Sequence, residues 1–191
     1  ANYFHALRRQ MHREFRKPLI IMTPKSLLRN KRCVSNIEDF NKKNSFHRIL
    51  PDHAEIKDYN LIRLRKDKEI KKVVMCSGKI YFDLLEAREK LKNDKVYFIR
   101  IEQLYPFPVK TLALELKRFK KNAKFFWCQE EPQNMGAWNS ARNYIEWTLN
   151  YISAEDKKIT YIGRKPAASP ATGYIKRHVD QQKQIVEKVL S

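Results

Sequence analysis

Glycine is scarce in this chain, with four residues in 191, at positions 78, 136, 163 and 173. Neither a G-x-G-x-x-G dinucleotide turn nor a Walker A loop can be written with them. Cysteine numbers three, at 33, 76 and 128. An odd, widely spaced set excludes a disulfide framework and a zinc site, and Cys76 and Cys128 sit inside apolar runs. We therefore expect buried free thiols in a reducing compartment. Uninterrupted apolar runs stop at four residues, far short of the roughly 20 needed to span a membrane as a helix. The first ten residues hold no apolar h-region, so they are not a signal peptide. They also lack an initiator Met and open inside a helical pattern, and we expect a piece of a longer chain. Acidic residues are few: 21 Asp and Glu stand against 40 Lys and Arg, a net charge of +19.

That excess invites a nucleic-acid or anionic-surface reading. Its distribution argues for solvated surface charge instead. Residues 1 to 72 carry 19 basic and 8 acidic side chains, yet only short clusters occur, such as Lys31-Arg32 and Lys71-Lys72. No nucleic-acid partner is expected, and a basic α/β domain that binds nucleic acid or another polyanion stands as the alternative.

Hydrophobic residues make up 42% of the chain and aromatics 12%, enough for a packed core. Short continuous apolar runs alternate with helical stripes. Leu19–Met22, Val73–Cys76, Val96–Ile99, Lys124–Cys128 and Ile159–Ile162 read as five strands covered on both faces. Between them come helical patterns after Gly78 (Tyr81, Leu84, Leu85, Leu91), from Pro108 (Val109, Leu112, Leu116, Phe119), from Ala137 to Ile152, and from Gly173 to Leu190. The alternation predicts an α/β fold: a mostly parallel, doubly wound sheet of about five strands with helices on both faces. Residues 30 to 70 break the rhythm. We expect a long connection there, with a short helix near Ile37–Asn41 and an edge strand near Leu61–Leu64.

Ser77-Gly78-Lys79 follows a strand and opens a helix, where a phosphate meets free N–H groups, although Gly78 can equally serve a tight turn. Gln129-Glu130-Glu131-Pro132 follows the fourth strand, at the end of a parallel sheet where ligands bind. Two carboxylates there can do acid–base work, cap a helix or hold a subunit interface. The five histidines have no metal spacing, and no G-x-S-x-G nucleophile signature is present. From the residues alone, Ser77, Lys79, Arg164 and Lys165 outline an anion site.

Six ordered segments carry a resemblance: Asn2–Gln10, Pro18–Arg29, Val73–Tyr81, Arg100–Pro108, Trp127–Trp138 and Gly163–Gly173. Together they resemble the C-terminal region of the thiamine-diphosphate-dependent decarboxylating component of the 2-oxoglutarate dehydrogenase complex, a transketolase-like family. The resemblance spans almost the whole chain and is weakest over 36 to 70. It implies an oxidoreductase of the tricarboxylic acid cycle, cytoplasmic in bacteria or in the mitochondrial matrix of eukaryotes. That enzyme is a homodimer, decarboxylates 2-oxoglutarate on thiamine diphosphate and Mg²⁺, and passes the succinyl group to the lipoyl group of dihydrolipoyl succinyltransferase, with dihydrolipoyl dehydrogenase as the third component. The Gly-Asp-Gly signature and activating Glu of the cofactor modules are absent here. The resemblance thus implies that residues 1–30 end the preceding module, 31–70 connect, and 71–191 form a transketolase C-terminal-like domain. No catalytic, cofactor-binding or metal-binding residue is expected in this stretch. In some relatives the module holds an acyl-CoA regulatory site, which by position would involve Thr23, Arg29, Ser77, Lys79, Gln129, Arg164 and Lys165. Glu130, Glu131 and Trp138 are the expected interface residues.

Overall fold

The computed structural model describes residues 1–56 and 62–191. The chain divides into two units, residues 1–47 and 48–191. The first is organised by helix α1 (Asn2–His12), whose one buried side chain is His5. His5 Nε2 donates to the Asp39 carbonyl at 2.7 Å, and Arg8 reaches the carbonyls of Asn41 and Asn44. Asn2 and His47 exchange two hydrogen bonds of 2.9 Å. These contacts fold the polar stretch 36–47 along the helix, with a 3₁₀ turn at Ile37–Phe40 where a short helix is expected.

The expected strand at Leu19–Met22 is not one. The run has no regular secondary structure and pairs with no strand among the described residues, and its four side chains are 44, 82, 36 and 91% exposed. Periodicity reports apolarity, and a strand also needs a neighbour that takes its N–H and C=O groups.

The second unit contains a five-stranded sheet in the order β1-β3-β2-β4-β5. Its strands are β1 (Ile49–Leu50), β2 (Lys72–Cys76), β3 (Val96–Ile101), β4 (Lys124–Pro132) and β5 (Ile159–Arg164). β2 to β5 are parallel, and the two-residue β1 runs antiparallel on the β3 edge. The fold class is therefore the one the alternation predicts, with β1 in the place of Leu19–Met22. The edge strand expected near Leu61–Leu64 falls partly outside the described residues, and 62–64 form no strand.

Helices α2 (Ile80–Leu91) and α5 (Ile175–Leu190) cover one face, and α3 (Val109–Leu116) and α4 (Trp138–Tyr151) cover the other. Strand parity divides the side chains between the two layers. Val73, Met75, Tyr97, Ile99, Phe125 and Trp127 pack with Leu112, Leu116, Ala141, Ile145 and Leu149. Val74, Cys76, Phe98 and Cys128 alternate with them and are buried on the opposite face. The chain order places the reversal of winding between β2 and β4, whose carboxyl ends open the crevice where ligands enter such sheets. At its far end α5 is tied down from outside: Lys72 Nζ donates to the Val189 carbonyl at 2.9 Å and Asn93 Nδ2 to that of Leu190 at 3.0 Å. Those are last-turn carbonyls that the helix itself leaves unpaired.

Candidate functional site at the carboxyl edge of the sheet

Three groups of side chains stand at the carboxyl ends of the strands. The first is the turn between β2 and α2. Gly78 holds φ +78°, which only glycine adopts freely, and lets the chain reverse within two residues of the strand. Lys79 Nζ lies 2.6 Å from Glu130 Oε1 on β4 and 3.4 Å from Asp83 Oδ2 on α2. Burial alone would lower the Lys79 pKa; the bond and charge of Glu130, aided by Asp83, raise it. The ammonium is thus already neutralised by two carboxylates, and Gln182 Nε2 on α5 donates to the same Asp83 oxygen at 2.7 Å. An anion at this turn would have to displace Glu130.

Gln129 belongs to the other layer. It is buried, and its Oε1 accepts from Trp127 Nε1 at 2.9 Å and from the Trp138 backbone N–H at 3.0 Å. Its Nε2 donates to the carbonyls of Met135 (2.7 Å) and Pro132 (3.1 Å). A Cβ on Gly136, which sits at φ +67°, would lie 2.9 Å from Gln129 Nε2, so only glycine fits there. The segment Gln129–Trp138 is in this way a folded knot around one amide. Trp138 is buried against the Tyr161 ring, with centroids 5.2 Å apart. The outward-facing aromatics of α4 are Tyr144, Trp147 and Tyr151. Gln129→Leu is expected to cost about 2–4 kcal/mol, since the Trp127 and Trp138 N–H donors and the Met135 carbonyl lose their partner. Urea unfolding followed by tryptophan fluorescence checks this, and a loss below about 0.5 kcal/mol would reject it.

The third group is a cleft of roughly 590 Å³ between the end of β5, the loop 165–174 and α5. Arg164 is buried; its Nη2 donates to His178 Nδ1 on α5 at 2.9 Å, and its Nε has no partner. Lys165, Arg177 and Lys188 stand exposed on the rim. The loop is braced by Asn134, which bonds both the N–H and the carbonyl of Ala167.

The residues expected to form one anion site stand in different surroundings. Ser77 and Lys79 stand by the β2–α2 turn, Gln129 is committed to the opposite layer, and Arg164 and Lys165 line the cleft. Thr23 and Arg29 are exposed residues of the N-terminal unit. Of the expected interface residues, Glu131 is exposed, Glu130 holds Lys79, and Trp138 is a core side chain. Thr172, Arg177, Gln181 and Lys188 went unnoticed in the sequence. Arg177, Gln181 and Lys188 recur at i, i+4 and i+11 on α5, and that polar stripe is the signal that could have found them.

Cys76 and Cys128 are buried free thiols and Cys33 is exposed. Burial pushes the Cys76 thiol up to about 12, so it is protonated and unreactive at neutral pH. Among the described residues no three His, Cys, Asp or Glu side chains converge to hold a metal ion, and no helix is long and apolar enough to cross a membrane.

Fold and edge chemistry together define a doubly wound α/β module with three polar side-chain groups at the carboxyl ends of its strands. Residues 34–190 match the 2-oxoglutarate dehydrogenase C-terminal family, and the chain belongs to that family. It is 54% identical over 190 residues to the 2-oxoglutarate dehydrogenase E1 components of Brucella anthropi, Brucella ovis and Brucella canis. The match covers 100% of this chain and 19% of each relative, so the chain spans about a fifth of their length.

Proposed function

We propose that these residues are the non-catalytic C-terminal module of a 2-oxoglutarate dehydrogenase E1 component, serving its assembly and its regulation. The observation that carries this is end-to-end identity of 54% with E1 components. The whole enzyme would decarboxylate 2-oxoglutarate with thiamine diphosphate and Mg²⁺, and succinylate the lipoyl group of dihydrolipoyl succinyltransferase in the tricarboxylic acid cycle. Its other partners would be a second copy of itself and dihydrolipoyl dehydrogenase, in the cytoplasm or the mitochondrial matrix.

The cofactor does not fit the residues described here. A metal-held diphosphate needs convergent oxygen ligands, and the cleft at the end of β5 is lined by no Asp or Glu at all. The chemistry is therefore assigned to the remainder of the longer enzyme, and no step of it is routed through this module. The bare apolar run Leu19–Met22 supports the reading that residues 1–30 complete a neighbouring module, since exposed runs of this kind mark contact surfaces. For an anionic effector, the support lies with Arg164 and Lys165 rather than with the paired Lys79 or the buried Gln129.

Assay of the longer protein that contains this chain tests the proposal. Thiamine-diphosphate-dependent release of CO₂ from 2-oxoglutarate is expected. The 191 residues alone should give no turnover and no heat on titration with thiamine diphosphate and Mg²⁺. Failure of the longer protein to decarboxylate 2-oxoglutarate, or tight cofactor binding by this chain alone, would overturn it.

A further inference from the structure

We infer that Cys76 and Cys128 form a two-coordinate thiolate site for one soft metal ion of the copper(I) class, with Arg100 as its counter-ion. The site lies inside the sheet and is separate from the decarboxylation chemistry assigned above.

The first observation is register. Cys76 ends β2 and faces Cys128 of β4 directly in the parallel ladder. Residues in register on neighbouring parallel strands project to the same face. The two sulfurs therefore stand side by side on the face that α2 and α5 cover. Both are free thiols at 0% exposure. Neighbouring strands lie about 4.8 Å apart, whereas a disulfide wants its Cβ atoms about 3.8 Å apart. Closing one here would draw two central strands together. A metal–thiolate bond is about 2.3 Å, so a linear sulfur–metal–sulfur bridge spans about 4.6 Å. That length fits the ladder as it stands.

The second is the donor set. Among the described residues no third His, Cys, Asp or Glu joins the pair. Zinc takes four ligands in a tetrahedron and hard cations take about six or more oxygens, so neither is served. Two thiolates in an apolar setting suit a soft ion, and thiolate ligands select copper(I). Each thiol is protonated at rest and gives its proton to solvent as the sulfur–metal bond forms.

The third is charge. Arg100 on β3 is the register partner of Cys76 on its other side, so Arg100, Cys76 and Cys128 form one row across three strands. A monovalent ion on two thiolates carries one net negative charge, which is buried at low cost only beside a cation. The Arg100 guanidinium lies 4.5 Å from the centre of the Tyr81 ring, and its Nη2 donates to His53 Nε2 at 2.9 Å. Its Nε is buried without an acceptor, and Arg100 enters no ion pair among the described residues. A cation with a donor to spare thus adjoins two thiols whose complex would be an anion.

Position gives binding a consequence. Cys76 leads into Ser77, Gly78 and Lys79, and Cys128 leads into Gln129 and Glu130. A bound ion pins β2 to β4 just beneath the Lys79–Glu130 pair. Gly78, two residues beyond Cys76, is exposed and marks the way in.

Copper(I) is the probe, delivered without oxygen from its bicinchoninate complex to protein carrying Cys33→Ser, which removes the exposed thiol of the other unit. One ion per folded chain is expected, with two sulfur neighbours and no nitrogen in the copper X-ray absorption spectrum. Arg100→Met should weaken binding about 10- to 100-fold, the range for a group that supports the ligands from outside the coordination shell. Cys76→Ala and Cys128→Ala should each cost more than that, with folding checked by tryptophan fluorescence. Zinc(II) should not compete. Absence of binding, binding retained in either folded alanine variant, or equal affinity for zinc(II) would overturn the inference. Where an alanine variant does not fold, the spectrum of the protein with both thiols decides, and a third neighbour or a nitrogen ligand overturns it. Loss of both thiols to a disulfide in place of a stable complex would also overturn it. None of these outcomes bears on the decarboxylation assay.

Discussion

Asp52→Ala is expected to destabilise the C-terminal unit by about 3–5 kcal/mol, the cost of breaking a buried ion pair by removing one partner. Asp52 and Arg88 are both 0% exposed. Arg88 on α2 forks onto the carboxylate, Nη1 to Oδ2 at 2.5 Å and Nη2 to Oδ1 at 2.8 Å. The same two oxygens accept the backbone N–H groups of Phe98 (2.8 Å) and Ala54 (2.9 Å). Four donors thus converge on one carboxylate, joining the segment after β1 to β3 and α2. Burial would lower the Arg88 pKa, and the bond and charge of Asp52 raise it instead; because a guanidinium is not deprotonated at ordinary pH, loss of Asp52 leaves a charge buried without its main partner. With total stabilities of about 5–15 kcal/mol for ordinary domains, the variant should be largely unfolded at modest urea concentrations. The measurement is urea unfolding read by fluorescence of Trp127, Trp138 and Trp147, all in this unit. A double variant, Asp52→Leu with Arg88→Met, should recover much of the loss, because no lone charge is then buried. A single-variant cost under about 1 kcal/mol would mean that the pair is not desolvated as described.

The second large effect is loss of stability in mild acid, traceable to His53. This ring is buried under Tyr81 and Phe82, and its Nε2 accepts from Arg100 Nη2 at 2.9 Å. Burial, with the nearby charges of Arg100 and Arg88, pulls its pKa down from 6.5 to about 3. Above pH 6.5 the ring is neutral whether the chain is folded or not. Between 6.5 and about 3 the unfolded chain takes up a proton that the folded form refuses. Folding stability is therefore complete above the unfolded pKa and declines as pH falls, with a ceiling of about 1.4 kcal/mol per pH unit. Allowing for solvent screening, the step from pH 7 to pH 5 should cost about 1–2 kcal/mol. His53→Gln keeps an acceptor without a titrating group, and its stability should fall less steeply by that amount. Urea midpoints of both proteins at pH 7, 6 and 5 decide the matter; parallel pH dependences would exclude His53 as the cause.

The sheet was legible because four of its strands are buried on both faces and so appear as unbroken apolar runs. The helices between them carry stripes that only a two-sided cover requires. Leu19–Met22 has the same composition as those runs and is exposed, because composition carries no information about which neighbour completes the hydrogen-bond ladder. β1 was invisible for the opposite reason: two residues are too few to show any period. At the site, Arg164-Lys165 stood out as a basic pair at the end of a strand. Lys79 was equally basic, but its pairing to Glu130 spans 51 residues, and no local pattern reports such a partner.

By itself the sequence determined the α/β class, the buried thiols, the absence of a membrane-spanning helix and the family resemblance, all of which follow from local periodicity, composition and ordered segments. Tertiary structure alone decided which charges are available. It placed Asp52 on Arg88, spent Lys79 on Glu130, enclosed Gln129 between two tryptophans and left Arg164 without an anion. The reason is physical: the worth of a charge or an amide depends on desolvation and on partners brought together across the fold, and neither is encoded by the residues beside it in the chain.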